Sequence, residues 1–180
     1  WGQVIGNFLT DTVVKNYAIS GRSTRSFINE GRLDTVLSDI QKGEYVLIQF
    51  GHNDQKKSTD QAVMEGSNAD SYANEAENAE EYSYREYLKE YAELIRNRGG
   101  VPVFVTPVPR LRTDADNVFQ NEAALQAYAD AMKAEADSEG VICIDLRSRA
   151  NEFFNEMTRD ELYTYYVSDC SHFTRAGAEK

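Results

Sequence analysis

The chain has 180 residues, which favours a single domain spanning 1–180 with enough buried surface for a real core. Lys plus Arg number 19 and Asp plus Glu 30, a net charge of −11 that argues against nucleic acid or an anionic membrane surface as partner, since both call for a basic footprint. No apolar run approaches the roughly 18 residues of a membrane span. The two cysteines, Cys143 and Cys170, offer neither a disulfide framework nor metal-ligand spacing.

Residues 1–9 place apolar side chains at Trp1, Val4, Ile5, Phe8 and Leu9, a helical spacing that reads as the latter part of a helix already under way. Val13 to Ile19 reads as a short strand ended by Ser20-Gly21. Leu33, Val36, Leu37 and Ile40 lie at i, i+3, i+4 and i+7, an amphipathic helix closing near Gly43. Tyr45 to Phe50 is an apolar run expected to be a buried strand, and Gly51-His52-Asn53-Asp54 comes directly after it. Residues 55–80 are polar with little periodicity: a solvated insertion, or a rim shaping access to a site.

Tyr84, Leu88, Tyr91, Ala92 and Ile95 mark a helix face ending at Gly99-Gly100, and a Tyr stripe at this spacing reads as core. Val101 to Thr106 is a strand stopped by Pro107 and Pro109. An Ala-rich helix over 123–136 ends at Gly140. Val141 to Leu146 is the next strand, with Cys143 as a buried thiol. Leu146 to about Tyr163 reads as helical, 168–172 as a polar loop, and Thr174 to Lys180 as the start of a helix. Alternating strands and helices imply a mainly parallel sheet between helices, with right-handed connections. No internal repeat or linker is visible.

In a parallel sheet the carboxyl ends of the strands share one edge, where ligands bind in open α/β folds. Gly21, residues 51–54 and the loop around Pro107 all come after predicted strands, so they converge there. Asp169 and His172 stand three apart in a polar loop. A carboxylate there can orient one ring nitrogen and leave the other to take a proton, the orienter-and-base half of a nucleophilic triad. An isolated pair of this spacing would be read as an Asp cap beside a surface His; convergence with the other segments is what favours chemistry. Asn53 offers a side-chain amide and Gly21 a backbone N–H, donors suited to an oxyanion hole. His52 reads as a supporting residue rather than the base, and Asp54 as an acceptor that orders the loop.

Three segments carry a resemblance. Gly51-His52-Asn53-Asp54, residues 16–24 (Asn-Tyr-Ala-Ile-Ser-Gly-Arg-Ser-Thr) and Asp169-Cys170-Ser171-His172 resemble conserved blocks of the SGNH (GDSL-like) hydrolases. Gly-Arg-Ser-Thr, Gly-His-Asn-Asp-Gln and Thr106-Pro107-Val108-Pro109-Arg110 are similar to the rhamnogalacturonan acetylesterase-like branch. The resemblance implies a flavodoxin-like three-layer α/β/α sandwich and ester hydrolysis without metal or cofactor. By it, Gly21 and Asn53 are oxyanion donors, His172 is the general base and Asp169 its orienter. It also implies an acetylated polysaccharide such as pectin as substrate, and, from that substrate class, secretion.

The chain departs from the family in lacking the Gly-Asp-Ser block that carries the nucleophile. Trp1-Gly2-Gln3 matches the residues shortly after that block in the family. The serine, one oxyanion N–H and the first strand are therefore expected upstream of Trp1, the domain being incomplete at its N-terminus and at its C-terminus. Ser20 and Ser23 are poor substitutes, because they sit in the segment that supplies Gly21. Arg22, Arg25, Arg110 and Arg112 are candidates to meet uronate carboxylates, with surface ion pairing as the alternative. Tyr163, Tyr165 and Tyr166 read as packing residues, with sugar stacking as the alternative. Two other functions stand against the esterase: a carbohydrate-binding pseudo-hydrolase without a nucleophile, and a metallophosphoesterase, for which two histidines supply too few ligands.

Overall fold

The structure is a computed structural model that describes residues 1–55, 83–112 and 123–180. The polar stretch of 55–80 lies, apart from Gln55, outside the described residues. The chain divides into two compact units, one of residues 1–19, 108–122 and 148–180, the other of 20–107 and 123–147.

The second unit holds the sheet. Strands β1 (Tyr45–Ile48), β2 (Val101–Val105) and β3 (Ile142–Ile144) lie in that order and are all parallel. Leu47 pairs with Val103, and Val103 with Ile142. The flanking helices are α1 (Thr24–Asn29), α2 (Arg32–Asp39), α3 (Tyr84–Asn97) and α4 (Ala123–Glu139). Helix α3 packs on β2 and against α4, and α4 reaches β2 and β3.

Helix α3 is accounted for by its sequence at every point. Ser83 caps it by accepting from the Glu86 N–H, and the Glu86 carboxylate returns to the Ser83 N–H. This reciprocal pair satisfies two donors that a helix start would otherwise leave unmet. Tyr84, Leu88, Tyr91, Ala92 and Ile95 then form the buried stripe. Gly99 closes the helix with φ +81°.

Phe27 meets Phe50 edge-on at 5.7 Å, Phe50 meets Tyr91 at a tilt at 5.4 Å, and Tyr84 meets Tyr128 edge-on at 5.0 Å. The Tyr stripe is therefore core, but each phenol has a polar tip to satisfy. Tyr84 Oη donates to the Phe50 carbonyl, Tyr91 Oη to Thr24 and Tyr128 Oη to Asp54.

Several local expectations need correction. Val13–Ile19 is not a strand: no neighbouring strand pairs with it among the described residues. The Ala18 N–H goes instead to the Asn16 side chain, and Val13 is strongly exposed. The run 45–50 is a strand only to Ile48, and it is not fully buried. Tyr45 and Leu47 share a face with Ile142 and Ile144, all exposed, while Ile48 and Phe104 face inward. Only the central strand β2 is largely buried. Residues 1–9 make a single 3-10 turn, Ile5–Phe8. Cys143 is half-buried rather than buried, and both thiols are free.

The first unit contains α5 (Leu146–Asn155, its first residues shared with the other unit), α6 (Arg159–Tyr165) and α7 (Arg175–Ala178). One continuous helix was expected over 146–163. Thr158 interrupts it by capping α6 in a reciprocal pair with Glu161, whose carboxyl is held low by those hydrogen bonds. Leu111, Phe154, Leu162 and Tyr166 form this unit's core, joined by Phe173 and Cys170.

Replacing Ser83 with Ala removes the cap of α3 and should cost about 1 kcal/mol of stability. Equilibrium denaturation of the variant against the parent measures it; an unchanged midpoint and slope would show the cap to be idle.

Candidate active site

The sequence-predicted residues fall into two groups, one in each unit.

In the second unit, the turn after β1 and the loop before α1 are bonded to each other. Gly51 has φ +134°, a region closed to side-chain-bearing residues, and a Cβ there would stand 3.0 Å from Pro107. Gln49 Nε2 donates to the Thr106 carbonyl at 2.9 Å, so the exits of β1 and β2 are tied together. Asp54, only 1% exposed, accepts through Oδ1 from the Thr24 N–H (2.9 Å) and hydroxyl (2.5 Å), and through Oδ2 from the Gly51 N–H (3.0 Å). This matches its reading as the acceptor that orders the loop. Burial first, then the Asp54 charge, pushes the Tyr84 and Tyr91 phenols up, keeping them protonated as donors.

Asn53 Nδ2 donates to the Arg22 carbonyl at 3.2 Å. An amide nitrogen carries two protons, so one anchors the side chain and the other can serve elsewhere. Gly21, the residue before Arg22, has φ +80°, again a position suited to glycine. The two oxyanion candidates thus belong to one bonded patch.

Arg22 braces the same loop. Its Nε donates to both Glu30 oxygens (3.2 and 3.1 Å) and Nη1 to the Ser20 carbonyl (3.0 Å). Arg32 also reaches Glu30, and Arg32 then Arg22 hold that carboxyl below its ordinary range. Arg22 is thus engaged in the ion pairing that was the alternative to substrate contact. Ser23 is buried and caps α1 in a reciprocal pair with Ser26, so its hydroxyl is committed to the helix. His52 is half-buried with Nε2 shielded from water.

In the first unit, Asp169 and His172 meet. Asp169 Oδ2 lies 2.5 Å from His172 Nδ1, and Oδ1 accepts from the backbone N–H of Ser171 (2.8 Å) and His172 (2.9 Å). The His172 N–H, then that of Ser171, then the His172 ring hold the Asp169 carboxyl down at about 2. Cys170 between them takes φ +57°. The turn is secured from outside: Tyr166 and Phe173 form an antiparallel bridge, and the Val167 N–H donates to the His172 carbonyl. Tyr166 Oη donates to the Pro109 carbonyl, and the Leu111 N–H to that of Cys170. Arg110, half-buried, sits between those two tethers. Both members of the pair face water, with side-chain exposures of 66% for His172 and 49% for Asp169.

Tyr166 is buried packing, while Tyr163 is exposed beneath the Arg159 guanidinium, 5.3 Å from its ring centre. Arg25 is half-buried and Arg112 exposed. Among the described residues no group of three or more His, Cys, Asp and Glu could hold a metal ion, and no helix is long and apolar enough to cross a membrane. Sequence reasoning missed the role of Thr24. Its hydroxyl is the partner of Asp54, and the only signal was its place in Gly-Arg-Ser-Thr.

Two curated proteins of Bacillus subtilis (strain 168) are similar to the chain. The probable rhamnogalacturonan acetylesterase YesY is 34% identical over all of it and 78% of that protein. The rhamnogalacturonan acetylesterase RhgT is 34% identical over 99% of it and 75% of that protein. Among solved structures, YxiM of the same organism superposes with a TM-score of 0.78 at 23% identity, over 99% of this chain and 46% of that one, so the chain spans about half of YxiM. The acetylxylan esterase Axe2 of Geobacillus stearothermophilus gives 0.62 at 18% identity, over 89% and 64%. At these identities the structural likeness speaks for the α/β sandwich alone. The family model of the GDSL-like lipases and acylhydrolases matches residues 1–180, and the chain belongs to that family.

Proposed function

We propose that this protein is a serine esterase removing acetyl groups from a plant cell-wall polysaccharide of rhamnogalacturonan or xylan type. The observation that carries the proposal is the Asp169–His172 pair. A carboxylate at 2.5 Å from Nδ1 holds the ring proton there and leaves Nε2 as the proton acceptor. Membership in an acylhydrolase family and the names of the two relatives at 34% identity support the reaction and the substrate class. Three of the Axe2 structures are of catalytic mutants, in which a serine, an aspartate or a histidine became alanine. The aspartate stands three positions before the histidine, the same spacing as here.

In the reaction, the serine oxygen attacks the acetyl carbonyl carbon while His172 Nε2 takes the serine proton. The carbonyl oxygen becomes an oxyanion, received by the Gly21 N–H and the Asn53 amide. Collapse breaks the bond to the sugar oxygen, to which His172 returns the proton. An acetyl-serine remains. Water then attacks it, giving its proton to His172; acetate leaves and the serine regains its proton. The Gly-Asp-Ser serine is not among the 180 residues, so the tests use the full-length gene product. Arg110 is the arginine assigned to a uronate carboxylate, beside the turn that carries His172.

The full-length protein should release acetate from acetylated pectin or acetylated xylan. His172→Ala should abolish turnover, and Asn53→Ala should lower kcat roughly 10²-fold. Binding of the polysaccharide with no acetate from either substrate would favour the nucleophile-less carbohydrate binder instead.

Asp169 supplies a pH test. A folded pKa near 2, below the ordinary aspartate value of about 3.9, gives stability that is present above the unfolded value and fades as pH falls toward 2. A carbon-detected NMR titration should follow the Asp169 carboxyl to a midpoint near 2. A midpoint near 4 would mean that the turn does not hold its carboxylate.

A further inference from the structure

We infer that Asp54 is a positioning residue for ester hydrolysis: by binding the loop before α1 to the turn after β1, its carboxylate sets the Asn53 amide for the oxyanion. The inference rests on the esterase reading for its kinetic consequence, while the geometry it describes stands apart from it.

The bonding closes a ring. One Asp54 oxygen holds both the N–H and the hydroxyl of Thr24; the other holds the Gly51 N–H. From Thr24 the chain runs back through Ser23 to Arg22, whose carbonyl receives the Asn53 amide, and Asn53 is bonded directly to Asp54. Every link in this ring is a covalent bond or a hydrogen bond of 3.2 Å or less. Its outer members are fixed too. Tyr128 Oη bonds the Asp54 carbonyl and Tyr91 Oη the Thr24 carbonyl, each at 2.9 Å. Asp54 itself is shut away from solvent, so it touches no substrate.

Burying a carboxylate is costly, and an apolar side chain would fill the same space without that penalty. What an apolar side chain cannot do is seize donors from two separate loops at once. The ring constrains where the Arg22 carbonyl stands, and that carbonyl orients the Asn53 amide. A donor aimed before the reaction starts costs no reorganisation when charge develops. A carboxylate that only stabilised the fold would be indifferent to Asn53.

The test is a double-mutant cycle in the full-length protein, with acetylated pectin as substrate. Asp54→Asn keeps the shape but loses the charge, and should lower kcat at least about 10-fold with KM changed less than about 3-fold. Adding Asn53→Ala to it should cost far less than Asn53→Ala alone, because both remove one function. Thr24→Val, a milder change should Asp54→Asn fail to fold, should lower kcat in the same direction, and Thr24→Ser should restore it. An activity-independent reading comes from NMR: the Asn53 side-chain proton bonded to the Arg22 carbonyl should be sharp and slow to exchange in the parent, and broadened or shifted in Asp54→Asn or Thr24→Val. Additive losses in the cycle, or an Asn53 amide signal unmoved by a folded variant, would overturn the inference. Absence of acetate release by the parent would instead count against the esterase reading and leave the NMR result to decide this one.

Discussion

The second unit is organised by one buried negative charge. Asp54 cannot keep its charge away from water without donors, and the sequence supplies them from loops that the chain order keeps thirty residues apart. The aromatic core answers to the same charge. Tyr84 and Tyr91 lie close enough for the carboxylate to add to the effect of burial and keep both phenols protonated. A protonated phenol can donate, and each does so to a backbone carbonyl of the turns around Asp54, Phe50 and Thr24. Charge, core and loop geometry are thus mutually supporting: the carboxylate orders the turns, and the core that buries it satisfies their carbonyls.

The Asp169–His172 turn is built the opposite way. Its members are exposed, and Coulombic attraction between exposed groups is weak in water. What holds it is local. The carboxylate accepts two backbone N–H groups of its own turn before it touches the ring, so ring orientation is set by the turn rather than by a charged pair. The aromatic cluster of Phe154, Tyr166 and Phe173 underneath, with rings 4.7 to 5.9 Å apart, keeps the two arms of the turn together. An exposed imidazole on a fixed turn suits a group that must exchange protons with substrate and with water.

What could be read from the chain divides along the same line. The helix α3, with its apolar period and its closing glycine, was legible because those signals are local; its Ser83-x-x-Glu86 cap is equally local but was not read. So was the Asp169–His172 pair, three residues apart. The turn after β1 was legible as the end of the strand, since an apolar run breaks into glycine and polar side chains. Val13–Ile19 misled because a short run rich in Val, Tyr and Ile becomes a strand only beside a partner, and partnership is not a local property. Tyr45 and Leu47 misled for a related reason: apolar side chains fix which face a strand could bury, not whether something covers it. The interruption at Thr158 was readable, since Thr-x-x-Glu is a capping pair, but a continuing apolar pattern on both sides hid it. The bond from Thr24 to Asp54 had no local signature, because it joins segments that meet only once the fold exists.

The four residues Gly51 to Asp54 then show why such a motif holds together. Gly51 is needed because its φ and the nearness of Pro107 leave no space for a side chain. Asp54 is needed because the Gly51 N–H and the Thr24 loop require one acceptor between them. His52 turns its Nε2 away from water. Only Asn53 has a side chain whose single bond in the structure, to the Arg22 carbonyl, leaves an amide proton without an acceptor among the described residues. In the proposed esterase, chemistry at this strand end therefore falls to Asn53, whose amide is anchored on the Arg22 carbonyl. A substitution at any of the other three should be judged by what it does to the Asn53 amide.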